Sequence, residues 1–182
     1  MRQSKVLTTV YNSMFIVISL ILGFFGRLSL FPAFPFLKLS FSDIPVFLAA
    51  LVSGIPSGVL VLLISSFLRT LMFSSAGWAG FIMRANSIII VVFLGLFYYK
   101  NNIKKVYKIL WISLGILLCL IVKLFFNYFV WVNFFSISRE LLDTLMLPVI
   151  FPYNLIKLIV TVGAALMLEK PVKKMLGSLN KS

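Results

Sequence analysis

Apolar runs over about 6–26, 44–73, 81–99, 109–133 and 149–168 leave this chain few ways to fold. Stretches of roughly 17–25 apolar residues are the length at which a helix crosses the hydrocarbon of a bilayer. A soluble domain of 182 residues that is 62% hydrophobic, with a mean hydropathy of +1.12, could not hide its apolar surface. Small proteins have too much outside for their inside. The chain therefore reads as an all-α membrane protein, one integral-membrane domain over residues 1–182, with the segment 27–43 as its longest polar-leaning loop. The first run follows Arg2 and Lys5, as a signal peptide would. It is too long for such a segment and lacks a small-x-small cleavage site, so it is predicted to stay as a helix.

Charge sets the number of crossings. Ten of the 17 cations fall in three places: Arg2 and Lys5; Lys100, Lys104, Lys105 and Lys108; Lys170, Lys173, Lys174 and Lys181. If all three are cytoplasmic, as the positive-inside rule asks, an even number of spans separates residue 5 from residue 100. Taking 44–73 as one span gives an odd number; dividing it at Ser53-Gly-Ile-Pro-Ser-Gly58, a Gly/Pro turn signal, gives four. The prediction is a bundle of six transmembrane helices, 6–26, 43–53, 57–73, 81–99, 109–133 and 149–168, with both termini cytoplasmic. A re-entrant hairpin over 44–73 is the rival. Helix two, about 16 Å long at about 1.5 Å per residue, cannot cross the hydrocarbon unaided. Ser42, Asp43 and Pro45 suit its start. Loops 27–42, 74–80 and 134–148 then lie outside, and they and their edges carry Asp43, Glu140 and Asp143, three of the four acids.

Four cations, Arg69, Arg84, Lys123 and Lys157, lie within the apolar runs. Each costs about 2.5–3.5 kcal/mol at a bilayer centre even on the mildest scale, so each needs a packed interior, a water-filled cavity or an anionic partner. Under this topology they share the outer half of the bundle, Arg69 and Arg84 about one turn below their helix ends. Asn127 follows Lys123 by four residues and Asn154 precedes Lys157 by three, which sets each pair on one helix face. These residues are predicted to line a cavity open to the outside whose positive potential favours a carboxylate or phosphate. The plainer reading has Arg69 and Arg84 snorkelling to headgroups and the acids neutralising one or two cations.

Trp78 in the outer loop, with Phe34 and Phe36 in the first loop, could stack on a flat ligand; the alternative, preferred for Trp131 and Tyr128, is an aromatic belt at the membrane interface. With no His, no phosphate-cradling glycine loop and no hydrolase motif, the chain is not predicted to be an enzyme. The lone Cys119 makes no thiol metal site, and neither a metal nor a cofactor is expected. A net charge of +13 sits at span ends rather than on a basic stripe, so nucleic acid is not an expected partner.

The segments Phe34-Pro-Phe-Leu-Lys-Leu-Ser-Phe-Ser-Asp-Ile-Pro45, Ser53-Gly-Ile-Pro-Ser-Gly58 and Pro152-Tyr-Asn-Leu-Ile-Lys157 resemble the substrate-binding (S) components of energy-coupling factor (ECF) vitamin transporters, in their riboflavin/pantothenate-type branch. The resemblance covers essentially the whole chain. It implies a subunit of the bacterial cell membrane that binds a vitamin from outside beneath lid loops. The loaded subunit would dock on a transmembrane coupling subunit driven by two cytoplasmic ATPases, which supply the ATP hydrolysis. Family members commonly carry an Ala-xxx-Ala docking face on helix one; here the nearest match is Thr9-xxx-Ser13. The Asn and Lys matching Asn154 and Lys157 contact the ligand in riboflavin binders.

Riboflavin is neutral and does not call for several cations, whereas pantothenate offers a carboxylate to Arg84 and Lys123 and amide and hydroxyl groups to Asn127 and Asn154. Pantothenate is therefore the expected substrate, with riboflavin and then folate as alternatives. The expected site is Arg69, Trp78, Phe36, Arg84, Lys123, Asn127, Asn154 and Lys157. Two other classes compete: a lipid-active intramembrane enzyme, for which no acid/base pair is present at depth, and a membrane scaffold whose cations merely snorkel among lipid.

Overall fold

The computed structural model describes residues 5–29, 38–73, 77–99, 104–134 and 138–179. Phe34 and Phe36 lie outside the described residues. Helix α1 (Lys5–Phe24) leads into a short antiparallel hairpin, β1 (Arg27–Ser29) with β2 (Lys38–Ser40), in whose register Leu28 pairs with Leu39. After the hairpin comes α2 (Asp43–Ser53), which starts and stops where its sequence predicts.

Helix α2 is the hub. Every residue from Pro45 to Val52 is buried, and α1, α3, α5 and α8 pack around it. A helix apolar on all sides needs partners on all sides, which is how a segment too short to span the hydrocarbon is held within the bundle. Gly54 ends it with φ +91°, in the region that favours glycine, and α3 (Ile55–Phe73) starts at the next residue. The predicted turn of several residues is thus a single-residue corner. Further along, a methyl on Gly58 would stand 2.6 Å from the Ala50 Cβ and 2.7 Å from Val91 Cγ1, so the missing side chain sets how closely α2, α3 and α5 approach.

The fourth span differs from its prediction. Helix starts at Gly77 rather than 81, which puts Trp78 on a helix and not in a loop, and it breaks at Asn86–Ser87 into α4 (Gly77–Ala85) and α5 (Ile88–Tyr99). Asn and Ser compete with the backbone for hydrogen bonds and so weaken a helix interior. Here the Ser87 N–H turns back to the Arg84 carbonyl at 2.9 Å. Helix α6 (Lys105–Phe134) is the longest. The expected loop 134–148 contains a helix, α7 (Arg139–Leu145), joined to α8 (Phe151–Leu179) through a π-helical turn over Met146–Ile150 that contains Pro148.

Helix α8 runs well past its predicted end at 168. The apolar run stops there and Pro171 follows, but Lys173 donates to Glu169 at 2.7 Å one turn away and Leu176 is buried, so helix continues where apolar sequence does not. The Tyr11 hydroxyl donates to the Leu176 carbonyl at 3.2 Å, which joins the N-terminal part of α1 to the C-terminal part of α8 at one end of the bundle. Among the described residues, five segments are long and apolar enough to cross a membrane, Lys5–Phe24, Ile55–Met72, Gly77–Leu96, Val106–Phe134 and Arg139–Leu176; α2 is the sixth helix of the bundle.

Two apolar clusters fill the interior. The larger surrounds α2 and takes in Ile90, Val91 and Leu94 of α5, Cys119 and Leu120 of α6, and Leu158 and Val162 of α8. The smaller joins Ala79 of α4, Val130 and Trp131 of α6, Leu142 of α7 and Ile150. Trp131 is therefore a core residue with Tyr128 packed beside it, not part of an interfacial belt: its indole closes the cluster formed by α7, a helix that the polar 134–148 segment does not advertise.

Candidate functional site

Polar residues of three spans fall between the two apolar clusters. Along α4 and α5 the order is Met83 against the small cluster, then Arg84, Asn86 and Ser87, then Ile89 and Ile90 in the large one. Along α6, Lys123 and Asn127 lie between Leu120 and Val130; along the last span, Asn154 and Lys157 lie between Ile150 and Leu158. Asn86, Ser87, Lys123, Asn127 and Asn154 are all buried. Residues far apart in sequence thus form one buried polar layer.

Asp43 anchors it. As the first residue of α2 its carboxylate is favoured by the helix dipole, and the central position of α2 carries it into the middle of the bundle. Lys157 Nζ stands 3.5 Å from Asp43 Oδ2. Arg69, Arg84 and Lys123 also lie within electrostatic reach of the same carboxylate. Four cations share one acid, which leaves a surplus of positive charge. The other two candidate acids, Glu140 and Asp143, are exposed on α7 and take no part.

Arg69 does not snorkel. It is 7% exposed, and its Nη1 donates to Ser42 Oγ at 2.6 Å and to Ser40 Oγ at 3.2 Å. Ser42, expected to cap α2, makes no side-chain cap bond; it accepts from Arg69 and donates to Asp43 Oδ1 at 3.4 Å. Ser19 of α1 holds this corner by donating to the Ser42 carbonyl at 2.8 Å. On the opposite side, Lys123 Nζ donates to Ser87 Oγ at 2.9 Å, so the break between α4 and α5 supplies the partner of a buried ammonium. Arg84 lies in the last turn of α4, deeper than the predicted single turn because the helix starts earlier; carbonyls at a helix C-terminus favour a cation there. Asn154 donates from Nδ2 to the Ile150 carbonyl at 2.9 Å, tying it to the π-helical turn. Tyr153 lies near Lys123, Asp43 and Arg69.

Trp78 stands apart from this layer: it is 61% exposed, with Phe67 and Phe81 ring centroids at 6.2 Å and 6.1 Å. Thr9 and Ser13 are exposed on α1, each hydroxyl bonded to the carbonyl one turn back, on a face shared with exposed Val6, Val10, Met14, Val17 and Ile21.

The sequence model of the family described as ECF transporter, substrate-specific component, matches residues 7–169. The chain belongs to this family. A solved structure described as the S component of a bacterial ECF transporter is 26% identical, with a TM-score of 0.70 over 93% of this chain and 96% of that one. No curated protein matches the chain. As an S component the protein is a multi-pass membrane protein and a substrate-binding subunit of a transporter, and the family implies association with an ECF module.

Several members of the S component's polar layer escaped the sequence reading. Ser40 and Ser42 fell in the predicted loop and helix start, and Ser87 was not singled out. The available signal was the Asn86-Ser87 pair, which with Arg84 interrupts an apolar run. For Ser40 and Ser42 no signal exists short of knowing that α3 passes the hairpin.

Proposed function

We propose that this S component captures pantothenate from outside the cell and delivers it to a coupling subunit powered by two cytoplasmic ATPases. The observation that carries the reading is the set of four cations around the single Asp43 carboxylate. Such a surplus suits a ligand that brings its own negative charge. Arg84 and Lys123 are assigned to the carboxylate through charge-assisted hydrogen bonds, Asn127 and Asn154 to the amide and hydroxyl groups, and Arg69 and Lys157 to the surrounding field. Trp78 is assigned to the rim that covers the ligand. The lysine-rich ends favour cytoplasmic termini by the positive-inside rule, and Thr9 and Ser13 are assigned to the docking face because small side chains permit close helix approach.

Riboflavin is the second reading. The Asp43–Lys157 ion pair favours it, since a paired lysine presents a neutral donor–acceptor couple, and Lys157 closes the Pro152–Lys157 segment that resembles riboflavin binders. Visible absorbance of the purified protein, followed by calorimetric titration with both vitamins, separates the two. A colourless protein that binds pantothenate supports the first reading. Flavin absorbance in the purified protein, or riboflavin binding alone, establishes the second.

A further inference from the structure

Asn86, buried beside Ser87 in the polar layer, has an unmet donor. It is 8% exposed, and its Nδ2 is one of three buried side-chain polar atoms among the described residues with no hydrogen-bond partner. The other two, Asn12 Oδ1 and Ser53 Oγ, lie elsewhere. Asn12 adjoins Tyr11, whose hydroxyl reaches the far end of α8, and Ser53 is the last residue of α2, the end opposite Asp43.

The backbone around Asn86 is firmly placed. Its carbonyl accepts from Cys119 Sγ at 3.8 Å, one helical turn along α6 from Lys123. The next residue, Ser87, takes the Lys123 ammonium, and Arg84 lies two positions before. A buried amide without an acceptor destabilises the folded protein, and a break in a transmembrane helix is tolerated only where it is buried in protein or lines a cavity. An unmet donor, a broken helix and two flanking cations therefore coincide at one point of the layer.

We propose that the Asn86 side-chain amide is a ligand-binding group: its Nδ2 donates a hydrogen bond to a carbonyl or carboxylate oxygen of the bound vitamin. This rests on the reading that the polar layer holds the vitamin, and it adds a neutral donor beside Arg84 and Lys123. An uncharged donor reads the position of an acceptor oxygen rather than the ligand's net charge, so it serves specificity where the cations serve attraction.

The test compares Asn86→Leu and Asn86→Ala with the wild-type S component in mild detergent. Two quantities are measured: thermal unfolding without ligand, and calorimetric affinity for pantothenate and riboflavin. Removal of an unmet donor is expected to leave the unfolding temperature of the ligand-free protein unchanged or raised, while affinity for the vitamin that the wild type binds falls at least tenfold. Unchanged affinity in both variants overturns the proposal. So does a lowered ligand-free unfolding temperature in both, because Asn86 would then have a structural partner. Should the wild type bind riboflavin and not pantothenate, the pantothenate reading fails while the Asn86 comparison is made with riboflavin.

Discussion

Arg69 Nη1 lies 2.8 Å from the position that a Cβ on Gly23 would occupy, with Cζ at 3.0 Å. The guanidinium passes between α1 and the Ser40–Ser42 corner because Gly23 presents no side chain there. A glycine on α1 thus gives the buried Arg69 its place.

Gly23→Ala is accordingly expected to push the guanidinium off Ser42. Overpacking of this kind costs about 1–3 kcal/mol. A lowered unfolding temperature, with weaker vitamin binding, is the expected result; an unchanged protein on both counts would show that Arg69 adapts without loss.

The Asp43–Lys157 pair is largely buried, with side chains 11% and 19% exposed. Removing one partner of a buried pair leaves an uncompensated charge, at about 3–5 kcal/mol in well-buried cases. Asp43→Asn is expected toward the low end of that range, since both groups keep some solvent contact. Asp43→Asn combined with Lys157→Met is expected to lose less stability than Asp43→Asn alone. Additive losses in this double-mutant cycle, read by unfolding in detergent, would refute coupling between the two.

Lys157→Ala is expected to weaken vitamin binding at least tenfold, about 1.4 kcal/mol, while the protein still folds. Calorimetry checks this against the scaffold reading, which expects no change.

Lys123→Met separates binding from folding. The hydrogen-bond partner of Lys123 is the neutral Ser87 hydroxyl rather than an acid, so an apolar Met in its place relieves the cost of burying a charge, and the ligand-free protein is expected to unfold no earlier than the wild type. Its affinity for pantothenate is expected to fall at least tenfold. Retained affinity would remove Lys123 from the site.

Thr9→Trp fills the exposed small-residue face of α1 without touching the polar layer. Vitamin binding is expected to stay at the wild-type level while vitamin uptake by cells expressing the whole transporter falls severalfold or more. Normal uptake would refute that face as the docking surface.

Much of this protein was legible because lipid imposes a local rule. Apolar runs of spanning length, a Gly/Pro interruption and lysines at span ends disclose the spans of the bundle and the short second helix without knowledge of any contact. The intramembrane positions of Arg69, Lys123 and Lys157 were equally readable, since the cost of burying a charge does not depend on what neutralises it. Less legible were α7, the helical start at Gly77 and the extension of α8, where packing of Ala79 and Leu142 with Trp131, and burial of Leu176, sustain helix outside the predicted spans.

By itself, then, the sequence determined a six-helix membrane bundle and the residues too costly to leave without company. Only the tertiary structure decided which company they keep. Asp43 meets Lys157 because α2 is buried on all sides and carries its first residue to the centre of the bundle. Ser87 meets Lys123 because α5 packs against α6 at the point where the fourth span breaks. Hydropathy is a property of each segment alone, whereas an ion pair or a hydrogen bond depends on the relative position of two segments, which packing sets.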